Sequence, residues 1–173
     1  MRQFRSDLHV HTVLSPCAEV EMIPPLIVEQ ALSSGINLIA ITDHNSSLNY
    51  LSVKQAAQNT PLVVLPGMEL QTREEVHVLC LFDNDEQIAL FQKLVDEHLP
   101  DIPNQPEHLG EQFIVDETGD FIRREDRLLL NSTSLSIGEA FNIVESLGGI
   151  LIPAHVNRKA FGLIEVLGFV PMD

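Results

Sequence analysis

The chain has 173 residues, of which 45% are hydrophobic, 20% charged and 5% aromatic, a balance that excludes disordered, collagenous and disulfide-stapled chains. Ten basic residues against 25 acidic ones give a net charge of -15, the reverse of a phosphate-binding footprint, so no duplex nucleic acid is expected as a partner of this chain alone. No apolar run reaches the roughly 18 residues of a membrane span and Met1 to Arg5 carry no signal-type apolar stretch, so no membrane partner is expected and a cytoplasmic setting is the default.

Residues 7–12 alternate polar and apolar, and 37–42 form a short apolar run, so both read as strands. Between them, 23–34 carry apolar residues at helical spacing, opened by Pro24-Pro25 and closed by Gly35. A second helix over 47–59 and a strand over 62–70 continue the alternation, which favours a parallel sheet with covering helices. The next strand, 76–82, follows too closely for a parallel crossover, so these two strands must form an antiparallel hairpin.

A helix over 85–99 comes next, capped by Asp83 or Asn84 and stopped by Pro100 and Pro103. Residues 100–133 break the rhythm and read as an insertion bearing a second hairpin, with strands at 112–116 and 120–124 around Glu117-Thr118-Gly119. Ser136 and Glu139 make a capping box for a helix ending at Gly148-Gly149, after which 150–154 read as a buried strand and 161–168 as a short helix or turn. The main strands number about five, whereas a closed barrel of strand-helix units typically needs 200 residues or more. The chain reads as one unit, residues 1–173, short of closure.

Histidines and acids sit at the ends of these strands. His9 and His11 are two apart on one strand, so both leave the same face, roughly 6 to 7 Å apart, where two imidazoles can share a metal. Such pairs also occur as plain exposed strand residues. Asp43 and His44 close the second strand, where parallel α/β folds place functional groups, although Asp43 can equally cap a turn there. Glu69 ends the third strand as a carboxylate able to bridge two cations, and antiparallel pairing returns His77 to its face. His155 stands at the end of the last strand. Taken together, these positions converge on one face, which favours a metal cluster over chance.

The segments Asp7-Leu8-His9-Val10-His11-Thr12, Ile41-Thr42-Asp43-His44-Asn45, Pro66-Gly67-Met68-Glu69, Val76-His77-Val78-Leu79 and Pro153-Ala154-His155 resemble, in the same order, the motifs of the polymerase and histidinol phosphatase (PHP) domain. These are metal-dependent phosphoesterases. The resemblance implies an α/β fold, a PHP-type distorted seven-stranded β/α barrel, here incomplete or open. It further implies up to three divalent metal ions: His9, His11 and Glu69 on the first, His44 on the second, and Glu69 with His77 and His155 on the third. Asp43 would orient an imidazole through its second ring nitrogen.

Two departures from the family pattern stand out. Where the family carries a further ligand soon after His-x-His, this chain has Cys17, then Glu19 and Glu21, so Cys17 is either a soft ligand or a loop thiol. The family's closing Asp-x-His pair lies beyond Asp173. Imidazole and carboxylate donors suit Zn, Mn or Fe alike.

Two close cations would lower the pKa of a bridging water and hold a phosphate ester for in-line attack, so the chemistry implied is hydrolysis by a metal-activated hydroxide. The expected substrate is a small phosphorylated metabolite or nucleotide. Arg158 is placed to hold its phosphate and Arg73 is a second candidate, while His98, His108 and Cys80 read as structural or surface residues. The alternatives are a non-catalytic metal-binding or interaction module, or an inactive fragment of a longer enzyme. An unclosed barrel would also expose strand edges, which predicts a homo-oligomer or a partner chain completing it.

Overall fold

The computed structural model describes residues 3–170. In chain order its elements are β1 (Ser6–Val10), α1 (Pro24–Ser33), β2 (Leu38–Ile41), α2 (Tyr50–Ala56), β3 (Val63–Gln71), β4 (His77–Leu81), α3 (Asp85–His98), α4 (Pro106–Leu109), β5 (Phe113–Val115), β6 (Phe121–Arg124), α5 (Ile137–Ser146), β7 (Ile150–Pro153) and α6 (Leu163–Leu167). The local signals behave as their chemistry demands. Pro24 and Pro25 occupy the first turn of α1, where a missing N–H costs nothing. Asn84 with Gln87, and Ser136 with Glu139, form complete capping boxes at α3 and α5.

Five strands form one curled, half-barrel sheet in the order β1-β2-β3-β4-β7, and β5 pairs with β6 separately. Strands β1, β2 and β3 are parallel. The turn after β3 reverses the chain as expected, pairing Glu69 with Leu79 and Gln71 with His77. Because β7 is antiparallel to β4, it runs in the same direction as β1 to β3, and its carboxyl end returns to their side. The parallel strands with one antiparallel hairpin at β4 are those the sequence predicts. Within the sheet and its helices, Ile27, Ile39, Ile41, Val53, Met68, Leu70, Val78, Phe91 and Val144 build the main core.

Two expectations need correction. The strand at 150–153 is not buried: Ile150 is 64% exposed, because β7 pairs with β4 on one side and, among the described residues, with no strand on the other. The helix predicted from Ser47 starts only at Tyr50, since the Ser47 N–H and hydroxyl both donate to Gln92 Oε1 and hold that residue in the preceding loop. The short α4 within the 100–133 segment was not foreseen.

That segment docks against the strand ends. Leu129 and Ile114 join Leu14 and Leu99 in a second buried cluster. The Asn45 amide donates to the carbonyls of Leu129 and Asn131 at 2.8 Å each, and Gln71 Nε2 donates to Ser132 Oγ at 3.0 Å. Among the described residues no helix is long and apolar enough to cross a membrane.

Candidate metal centre

The sheet brings its histidines to one end. The β2–β3 ladder continues past β2 as a bridge between His44 and Glu69, held by Glu69 N–H to Asp43 O at 3.0 Å and Asn45 N–H to Glu69 O at 2.9 Å. His9 lies in β1, His11 just past it, His77 opens β4, and His155 follows β7 in a left-handed backbone conformation, φ 48°. The sequence-predicted residues thus meet at a single point, the Glu69 carboxylate.

Glu69 Oε1 lies 3.0 Å from His77 Nδ1, 3.1 Å from His155 Nε2 and 3.2 Å from His9 Nε2. Its Oε2 lies 3.2 Å from both His11 Nε2 and His44 Nδ1. Cys17 Sγ stands 3.4 Å from His44 Nε2. Three groups place their donor atoms close enough for one ion: His9, His11 and Glu69; His44, Glu69 and His77; and His11, Cys17 and His44. The first has the membership the family resemblance implies for the first metal. In the second, His44 stands where the resemblance put His155.

The donor set fits divalent cations better than it fits a hydrogen-bonded apo cluster. Five imidazoles crowd a carboxylate that offers roughly four lone-pair sites. His44 Nδ1 and Glu69 Oε2 are buried and, although 3.2 Å apart, are not aligned as a hydrogen bond. Burial alone would raise Glu69, but hydrogen bonds from His11, His77 and His9 hold it below the usual carboxylate range. Burial pushes His44 down to about 3, so its ring is neutral at physiological pH, as a metal ligand must be. His155 is lowered mainly by burial. Cys17 is raised by burial and by the Glu69 charge, so in the absence of a cation it is a thiol.

The His44 shift carries a stability consequence. Between pH 6.5 and about 3 the unfolded chain binds a proton at this ring and the folded chain does not, so the folded state loses stability as pH falls. Metal-free protein is expected to lose up to about 1 kcal/mol per pH unit below pH 6.5 from this ring, measured by urea unfolding, and His44→Gln is expected to flatten that slope.

Other predicted residues divide. Asp43 is fully buried and does not line the site; it accepts hydrogen bonds from Thr12 and Ser15 and touches no imidazole directly. Arg158 does line the cavity of about 500 Å³ above Glu69, with Gln71, Leu130 and Phe161. Arg73, Glu19, Glu21, His98 and His108 do not. Sequence reasoning missed Gln71, whose Oε1 is 3.1 Å from His77 Nε2, although its place two residues beyond Glu69 on the same strand face was a usable signal. It also missed Phe161, whose ring stacks on His77 with centroids 4.4 Å apart.

The loop from His155 to Gly162 is tightly wound. Arg158 N–H donates to His155 O, His77 N–H donates to Phe161 O, and Phe161 itself has φ 61°. A Cβ at Gly162 would stand 2.5 Å from His155 O and closer still to Arg158 O, both rigid backbone atoms. Gly162→Ala is therefore expected to leave the fold intact but displace His155 and Arg158, lowering turnover about 10- to 100-fold with a near-native melting curve.

A half-barrel with a histidine cluster at its strand ends is an α/β domain whose side chains could hold a metal, and wider comparison identifies the class. The sequence profile of the PHP domain matches residues 7–147, and the chain belongs to the PHP family. No protein of curated function matches it. Among solved structures, it superposes on a lesion-specific endonuclease, EndoQ of Pyrococcus furiosus, with TM-score 0.65 and 20% identity, over 98% of this chain and 40% of that one. Endonuclease Q in complex with a 27-mer duplex carrying an abasic lesion matches with TM-score 0.64 and 18% identity, over 97% and 40%. A candidate metal-dependent phosphoesterase of Bifidobacterium adolescentis gives TM-score 0.57 and 20% identity, over 89% and 68%. The chain thus spans about 40% of the length of the endonucleases it resembles. One of these neighbours is in complex with duplex DNA.

Proposed function

We propose that this chain is a metal-dependent phosphoesterase that hydrolyses a phosphate ester of a small metabolite or nucleotide in the cytoplasm. The observation that carries this reading is the convergence of five imidazoles on the buried Glu69 carboxylate beneath a cavity that Arg158 lines. His9, His11, His44, Glu69, His77 and His155 would hold two or three divalent ions, Zn, Mn or Fe, with Cys17 as a thiolate donor beside His11 and His44. Bound cations would neutralise charge on the phosphoryl oxygens and bring the pKa of a water toward neutrality.

The protein's own groups do the rest. Arg158 presents a planar fork to two phosphate oxygens. Phe161 backs His77 and keeps water off that side of the ring, while Gln71 accepts from His77 Nε2 and so leaves Nδ1 toward Glu69. Asp43 acts on this set from behind, through Ser15. Residues 100–133 are an insertion on a single PHP-like unit and support the strand ends carrying Asn45 and Gln71.

A second reading, phosphodiester cleavage in DNA, is favoured by the likeness to the endonucleases. The test supplies Mn or Zn and follows p-nitrophenyl phosphate, bis(p-nitrophenyl) phosphate and an abasic-site duplex in parallel. Release from the monoester, lost in His9→Ala, is the expected result. Cleavage of the duplex alone would favour the second reading, and metal uptake with no turnover on any of the three would make the chain a binding module.

A further inference from the structure

The 100–133 segment reaches the cavity above Glu69 at Leu130, and two amide side chains clamp the backbone on either side of that residue. Asn45 Nδ2 donates to the Leu129 and Asn131 carbonyls at 2.8 Å each, while Asn45 Oδ1 accepts Gln71 N–H at 2.9 Å. The Gln71 carbonyl in turn accepts the N–H and the hydroxyl of Thr133, both at 2.9 Å. Asn45 itself sits at φ 48°, a left-handed conformation that asparagine adopts more readily than most residues. Leu130 is thus tied to the residue after His44 and to the residue two beyond Glu69.

Leu129 packs into the buried cluster of Leu14, Leu99 and Ile114, and the next side chain, Leu130, lines the cavity. Phe161 adds a second apolar surface there, its ring stacked on His77. The polar groups around these two are committed. Gln71 Oε1 lies 3.1 Å from His77 Nε2 and Gln71 Nε2 donates to Ser132 Oγ at 3.0 Å, so its amide is engaged at both ends. The Glu69 carboxylate is enclosed by imidazoles. Among the described residues that line the cavity, Arg158 is the only one with a fixed positive charge, and a bound phosphate takes it. A second anionic group or a run of hydroxyls on the ligand would lose water there without gaining partners, a cost that an apolar group does not carry.

We propose that the site takes phosphate monoesters whose organic group is uncharged and apolar or aromatic, and that Leu130 is the residue that selects them. The phosphate half of this assignment rests on the phosphoesterase reading; the apolar wall does not. A cavity of about 500 Å³ has room for such a group beside the phosphate. Sugar phosphates and bisphosphates are the esters this wall selects against.

The experiment is calorimetric titration of the full chain, supplied with zinc or manganese, with phenylphosphonate and with methylphosphonate, two stable analogues that differ only in the organic group. Phenylphosphonate is expected to bind about 10- to 100-fold more tightly, and Leu130→Ala to shrink that ratio about 5- to 10-fold. Phosphate release from benzyl phosphate and glycerol 3-phosphate, whose leaving groups are both alkoxides, is followed in parallel. Equal affinity for the two phosphonates, or binding of neither, would overturn the proposal, as would an unchanged ratio in a folded Leu130→Ala. The wild-type ratio decides even if that variant does not fold. Phosphate release by a protein that does not discriminate would overturn the proposal and leave the phosphoesterase reading standing. Discrimination between the phosphonates with no release from either ester would uphold the apolar wall and defeat that reading instead.

Discussion

Glu69→Gln is expected to remove metal binding and turnover together, lowering zinc affinity by about 100-fold or more while the protein still folds. The wild-type carboxylate meets imidazole nitrogens on both oxygens, three at Oε1 and two at Oε2. Glutamine keeps the shape but presents one oxygen and one amide group, and the amide is a donor with no negative charge to offer a cation. The site would lose its negative charge and one of its two acceptor oxygens. Glutamine fills the same buried volume, and the groups around Glu69 are the imidazoles of the site rather than the apolar core, so the protein should still unfold cooperatively. Calorimetric titration with zinc, beside the phosphate-release assay, measures both effects; an unaltered affinity would show that Glu69 is a structural acid.

Asp43→Asn is expected to cost about 2–4 kcal/mol of stability, read from the urea midpoint. The side chain is fully buried and takes three donors, Thr12 N–H, Thr12 O–H and Ser15 O–H. An amide nitrogen on the Oδ1 side meets two of those donors. On the Oδ2 side it meets Thr12 Oγ1, whose lone pairs are already occupied by Asn49 and Leu14. Neither orientation satisfies the group, and an unsatisfied buried donor carries its full desolvation penalty. A midpoint equal to wild type would mean that the carboxylate is already protonated and donating.

Where function and local chemistry coincide, the sequence was readable. The two-residue spacing of His9 and His11, the short turn between β3 and β4, and the positions of His44, Glu69 and His155 at strand ends all follow from period and connection length. These placed the five histidines and Glu69 on one face before any coordinates. The capping boxes at Asn84 and Ser136 were equally local.

What the sequence hid was set by distant neighbours. The exposure of β7 depends on which strand stands beside it, which the apolar run Ile150 to Pro153 does not record. The family resemblance implied that Asp43 orients an imidazole through its second ring nitrogen. The turn after β1 places the Ser15 hydroxyl between them, 2.7 Å from Asp43 Oδ1 and 2.9 Å from His11 Nδ1. Likewise Phe161 reaches His77 only because its backbone adopts a left-handed conformation in the loop closed by Gly162. The 100–133 segment reads in the sequence only as an insertion, and in the fold its Phe113, Val115 and Leu129 hydrogen-bond Asn49 and Asn45 behind the site.

The most direct measurement is the metal content per chain of protein purified without chelator or affinity metal, by elemental analysis, before and after dialysis against zinc or manganese. About two or three ions per chain, lost in Glu69→Gln, is the result predicted for a centre in which one carboxylate joins five imidazoles. A chain that takes up less than about one ion under both conditions would contradict the metal centre, and with it the phosphoesterase reading.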